Sequence, residues 1–201
     1  MTQPKRSKGV TAEELLARLA KDKGYQTRKA TRDASLQERV TRERSAEQPI
    51  IADLRRSGID ITTVWDFVNT WEPYHAALPV LLEHFETGGY PDMVMEGLGR
   101  ALAVKPSVVF WARLKACYLS ARGPGQREGA AVALAACATA EHTKDLIQLI
   151  GTEELGNSRI YFIQPLLRVG GERGRRVVEK LRGDPVLGKE ATALVSGRGP
   201  K

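Results

Sequence analysis

Two stretches decide the fold: DLIQLIGTEELGNSRIYFI (145–163) and RVVEKLRGDPVLGKEATAL (176–194). Leu146 corresponds to Val177, Ile147 to Val178, Ile150 to Leu181 and Ile163 to Leu194, each pair 31 positions apart. A period near thirty marks stacked helical hairpins, because one hairpin cannot bury its own apolar face. Upstream, PVLLEHFETGGYPDMVMEGLGRALAV (79–104) repeats the pattern at about twice that spacing: Leu81 falls on Leu146, Leu82 on Ile147, Phe85 on Ile150, Leu98 on Ile163 and Leu102 on Leu167. WARLKACYLSARGPGQREGAAVALAACA (111–138) fills the gap as a degenerate copy, its first helix interrupted by Lys115 and Ala116. Arg127 precedes Arg159, and Leu134 precedes Leu166, by 32 positions. The expectation is an all-α chain containing an α-solenoid of about four helical hairpins. Its helices are predicted at 74–87, 91–104, 106–121, 125–139, 142–151, 157–169, 172–182 and 185–196. Pro91 and Pro185 fall where a first helical turn tolerates proline, while Pro79 and Pro165 are expected inside helices, as kinks.

The stretches LLEHFETGGYPDMVMEGLGRAL, DLIQLIGTEELGNSRIYFIQPLLRVG and VVEKLRGDPVLGKEATALV each set an apolar helix before a Gly/Asp/Pro turn and an Ala- and Leu-rich helix. In this they resemble the HEAT-repeat superfamily, and more closely the short bacterial HEAT repeats of the type found in phycobilin lyases. The resemblance covers 75–196 and not 1–70. It implies a HEAT-like α-solenoid in a bacterial protein that binds a partner. It implies no catalytic residue, since the HEAT pattern is a packing pattern. The Asp-Pro turn usual in these repeats is clear only at Asp184-Pro185.

With 201 residues, 42% of them hydrophobic and 27% charged, the chain suits one domain or one domain with an extension. It is not a disordered composition. No apolar run approaches the ~18–20 residues that span a membrane, and no apolar segment follows the basic start MTQPKRSKG. A cytoplasmic location is the expectation, and Cys117 and Cys137 read as buried free thiols rather than a disulfide or metal pair. The net charge of +7 is unevenly distributed. Residues 1–47 hold 12 Lys/Arg against 7 Asp/Glu, and the remaining 154 residues hold 19 against 17. The excess therefore sits in the head, but interleaved with acid, as on a solvated helix rather than a polybasic arm.

The expected organisation is a charged helical head, partly disordered, at 1–47, a helical and aromatic cap at 48–73, HEAT-like repeats at 74–196 and a disordered tail at 197–201. In the head, TAEE predicts a capping box between Thr11 and Glu14, with Leu15, Leu16 and Leu19 as an apolar stripe ended by Gly24. A second charged helix is expected over 31–47, and Pro49 should begin another, stopped by Gly58. Asp60 is expected to cap ITTVWDFVN, whose Val64, Trp65, Phe67 and Val68 would close the end of the solenoid. Trp65 and Trp71 read as packing residues of that cap.

Catalytic and cofactor signals are weak. His75, His84 and His142 form no metal-spaced set with cysteine or carboxylate. Glu83 and Glu86, one turn apart, read as a solvated face. ARGPGQR (121–127) places glycines and two arginines before a helix start, where free amides hold anions, but no Lys-Ser/Thr follows and an ordinary turn is favoured. Trp111 and Trp71, with Asp66, invite comparison with HEAT-like DNA glycosylases, yet the repeats are nearly neutral. Arg173, Arg175, Arg176, Lys180 and Arg182 make the densest basic group of the repeats, interleaved with Glu172, Glu179 and Asp184.

The reading this supports is a non-catalytic protein–protein interaction module with no metal, no cofactor and no membrane partner. The candidate contact residues are Glu83, Trp111, Arg113, Lys144, Gln148, Arg173, Arg175, Arg176 and Lys180. The alternatives are a HEAT-like nucleic-acid-binding protein or DNA glycosylase, and an immunity-type inhibitor of a toxin or enzyme. Only weak, sequence-independent nucleic-acid binding is expected.

Overall fold

A computed structural model describes residues 10–197. The disorder expected at the start of the head and at the end of the tail falls largely on 1–9 and 198–201, outside the described residues. The described chain is all-helical, with no strand. No helix in it is long and apolar enough to cross a membrane. By internal contacts it divides into two units, Met1–Arg44 and Ser45–Lys201.

In the first unit, α1 (Ala12–Lys21) starts at the expected capping box: the Thr11 hydroxyl accepts the Glu14 N–H at 3.2 Å and the Glu14 carboxylate accepts the Thr11 N–H at 3.1 Å. Gly24 does not stop it. Asp22 does, and its carboxylate accepts the Tyr25 N–H at 3.0 Å, so the same residue caps the start of α2. The two helices expected over 31–47 and from Pro49 are a single α2 (Lys23–Arg56), with Pro49 inside it. Proline removes one helical hydrogen bond, but Ile50, Ile51 and Leu54 just beyond it are at most 3% exposed, and their burial offsets the loss. No residue between Val10 and Arg44 is buried.

In the second unit, Asp60 does not cap the next turn; it pairs with Arg55 at 3.0 Å. Thr63 caps instead, at the head of a 3₁₀ turn over Val64–Phe67, and Asp66 accepts the N–H groups of Thr62 (2.8 Å) and Thr63 (3.1 Å). The paired helices follow: α3 (Leu78–Thr87), α4 (Asp92–Ala101), α5 (Trp111–Leu119), α6 (Pro124–Cys137), α7 (Thr143–Gly151), α8 (Ile163–Val169), α9 (Gly171–Lys180) and α10 (Gly188–Val195). Short 3₁₀ segments lead into α3, α5, α7 and α8. Pro79 and Pro165 are therefore not interior kinks but lie in the first turns of α3 and α8, where a proline costs no helical bond. Pro91 is the residue before α4, and Pro185 sits in the turn before α10, where Asp184 accepts the Val186 and Leu187 N–H groups at 2.7 and 2.8 Å.

The second helices of the pairs touch in chain order, α4 with α6, α6 with α8, and α8 with α10; among the first helices α3 touches α5 and α7 touches α9. The α4–α6 contact is backbone to backbone. A Cβ on Gly99 would lie 2.2 Å from the Gly129 Cα, and one on Gly125 would lie 2.1 Å from the Asp92 carbonyl oxygen. Ile150, Phe162, Leu166 and Val178 are buried, but Ile147, Leu181 and Leu194 are only half-buried. In α7 it is Leu146, Leu149 and Ile150, the i, i+3, i+4 set, that face the core.

Two buried polar groups tie neighbouring pairs. The Gln126 amide donates to the Phe85 carbonyl at 2.9 Å and accepts the Arg122 N–H at 3.0 Å. Arg159, 4% exposed, donates to the carbonyls of Gly156 and Ile150, each at 3.0 Å, and lies 3.7 Å from Asp184. A buried guanidinium is tolerated only with its donors occupied in this way.

Candidate functional site

The sequence-derived contact residues are spread over α3, α5, α7 and α9, the first helices of the pairs. Glu83 is exposed on α3, and Lys144 and Gln148 are exposed on α7. Arg113 is held by Glu86, to which its Nε donates at 2.7 Å, and its guanidinium lies 5.8 Å from the Phe110 ring centre. On α9, Arg175 pairs with Glu179 (3.3 Å) and Arg176 with Glu172 (2.9 Å), while Arg173 and Lys180 stand exposed beside them. Exposed i, i+4 pairs of this kind hold little energy and leave a mixed rather than a basic face.

Trp111, expected as a contact residue, is only 7% exposed and packs inside the fold. Its indole N–H donates to Asp145 at 2.8 Å, Lys115 reaches the other oxygen of the same carboxylate at 3.0 Å, and the His142 ring stacks on the indole at 3.8 Å. Lys115, read in the sequence as a defect of the repeat, is thus the ion partner of the next hairpin. Burial pushes the Asp145 carboxyl up, but the Trp111 and Lys115 donors outweigh it, and the net position is below the ordinary carboxylate value. Burial holds His142 below its ordinary value, against the pull of Asp145 and Glu141. Its Nδ1 accepts the Thr139 N–H at 3.2 Å, which requires the neutral ring. These groups bind the chain to itself.

Asp66 is likewise occupied by backbone donors, and Trp111 by Asp145, so neither stands free beside Trp71. Burial pushes the Cys117 and Cys137 thiols up to about 11, so both are protonated at neutral pH. Among the described residues no group of three or more His, Cys, Asp and Glu converges as metal ligands. The ARGPGQR turn borders an open hollow of about 590 Å³ with Arg122, Arg127, Glu128 and Asn157 on its walls. One amide at the start of α6, that of Gly125, is already taken by Asp92 at 3.0 Å.

The feature that reading the sequence missed is a groove of about 530 Å³ at the start of the paired helices. The irregular stretch between Phe67 and His75 forms one wall; Arg100, Ala103, Val104, Pro106 and Val132 form the other. Phe67 and Tyr74 pack ring to ring at 4.6 Å, and the Tyr74 hydroxyl donates to the Ala101 carbonyl at 2.9 Å, which pins the wall to the end of α4. Trp71, expected to pack in the cap, instead stands at the rim with 101% of its surface exposed. It lies between Thr70 and Glu72, outside any helix, so no helical face turns it inward. Val68 beside it is 40% exposed. The stretch Val68–Tyr74 has neither helical nor strand periodicity, and its only advance signal was a tryptophan in a polar, proline-bearing loop.

Comparison with known proteins found no family model, no curated protein and no solved structure that matches the chain.

Proposed function

We propose that the chain is a non-catalytic protein-interaction module that captures a short segment of another protein in the groove beside Trp71. The proposal includes the finer architecture: the paired helices stack as a HEAT-like α-solenoid, preceded by a charged helical extension, in a bacterial cytoplasmic protein. The 31-residue repeat and the succession of contacts from α4 to α10 support the stack. One observation carries the binding role: an entirely exposed tryptophan at the lip of an apolar, aromatic-walled groove. Exposing an indole to water is unfavourable, and tryptophan leads the residues that dominate binding energy at interfaces. The groove's size falls within the ~300–1,000 Å³ of binding sites for small groups.

The test is selection of peptides from a random display library on the immobilised protein, with each selected peptide then titrated against Trp71→Ala. The expected outcome is a set of binders weakened at least about tenfold by that substitution, as for a hot-spot aromatic. Binders indifferent to Trp71 would place the interaction elsewhere and overturn the reading.

A further inference from the structure

Resting on the reading of the groove as a docking site, we infer that its occupant is a proline-rich segment carrying a lysine or arginine beside its prolines. The first argument is size. A stable dimer buries about 800 Å² on each partner, whereas this hollow admits only a few side chains, and its aromatic wall comes from the short run between Phe67 and Tyr74. A second copy of the chain is therefore a poor occupant, and an amphipathic helix, which needs a trough matched to anchors over two turns, is another.

The second argument is the chemistry of the wall. The exposed Trp71 and half-buried Tyr74 supply aromatic surface, with the buried Phe67 packed behind Tyr74, and Pro73, Val104 and Pro106 add apolar surface. Proline rings are compact and apolar, and a polyproline helix has no internal hydrogen bonds, so its carbonyls are free to accept. The exposed Trp71 indole N–H is a donor placed at the rim to meet one. Such a segment is ordered before it binds, so a small groove suffices to hold it.

The third argument is charge. Glu72, Arg100 and the exposed imidazole of His75 line the groove. Arg100 is engaged by Glu96 at 2.8 Å. The Glu72 carboxylate is exposed and makes no ion pair among the described residues; only its backbone N–H is occupied, by the Thr70 hydroxyl at 3.1 Å. The carboxylate that lines the groove is thus left without an ion pair among the described residues, and it belongs to the residue that follows Trp71 in the chain. A ligand cation docked beside Trp71 has that carboxylate to pair with. A ligand carboxylate would meet Glu72.

Three synthetic peptides tested by calorimetry on the full chain decide the matter: a proline-rich dodecamer with one arginine, the same peptide with glutamate for arginine, and a helix-forming amphipathic peptide. The arginine peptide is expected to bind about tenfold or more tightly than the glutamate form. Trp71→Ala should abolish that binding, and Glu72→Gln should narrow the gap between the two proline peptides. Thermal melts of both variants matching the parent protein exclude a folding defect, since both side chains are exposed. Tighter, Trp71-dependent binding of the helical or glutamate peptide would overturn this occupant and leave the groove a docking site. Absence of binding by the arginine peptide, where the display selection does yield Trp71-dependent binders, would also overturn it. Failure of both experiments removes the groove itself.

Discussion

Gly99 shows how one position sets a helix spacing. With 2.2 Å between its would-be Cβ and the Gly129 Cα, α4 and α6 sit closer than any side chain allows. Gly99→Ala should therefore push the helices apart and cost about 1–3 kcal/mol by overpacking. Gly183→Ala, where a Cβ meets nothing within 4 Å, should stay within about 0.5 kcal/mol of the parent. Denaturant unfolding of the two variants checks both, and equal midpoints would refute the close approach. His142 makes a second case. Its folded value is lowered, chiefly by burial, so the unfolded chain takes up the proton first. Its contribution to stability is complete above the unfolded value of about 6.5 and falls as pH drops from there towards the folded value. The unfolding midpoint should decrease between pH 7.5 and 5.5, and His142→Gln, which keeps an acceptor for Thr139, should decrease less. An undiminished fall in the variant would assign the titration to another group.

Among the elements, α2 departs furthest from its expected form. Sparse apolar positions and Pro49 both argue for a break, yet the helix runs from Lys23 to Arg56. Proline is a local signal, and burial of Ile50 and Leu54, both 0% exposed, is a tertiary term large enough to override it. Pro49 itself is exposed. Pro49→Ala restores a helical donor with no loss of packing, and is expected to stabilise Ser45–Lys201 by about 1–3 kcal/mol, less than the full ~3 kcal/mol scale because proline also restricts the unfolded chain. A lowered melting midpoint would mean that the proline supplies a contact of its own. The capping box of α1 was legible as TAEE, because both partners lie within one turn. The cap at Thr63 was not, because Asp60 and Thr63 are both good N-caps and the choice depends on how Val64 and Phe67 reach the core.

For the molecule as a whole, the residues buried to form the apolar core run from Ile50 to Ala191. The unit Ser45–Lys201 thus contains every apolar side chain that is buried among the described residues. A chain beginning at Ser45 should fold with a cooperative thermal transition near that of the full protein, followed by circular dichroism. A molten or insoluble product would show that Met1–Arg44 contributes stability that burial does not reveal.

Periodicity alone determined that this chain is helical and which stretches carry its paired helices, because those properties depend on residues three or four apart and on turn residues between them. Placement of the candidate site belongs to the tertiary structure. Trp111 and Trp71 are both tryptophans in weakly patterned sequence; one is buried because Asp145 and His142, brought from a later helix, cover it, and the other is exposed because nothing in the fold reaches it. The same holds for Lys115 with Asp145, Arg113 with Glu86, and Gly99 with Gly129. Each pairing joins residues about thirty positions apart, and a helical period states which face a residue occupies without stating what stands opposite that face.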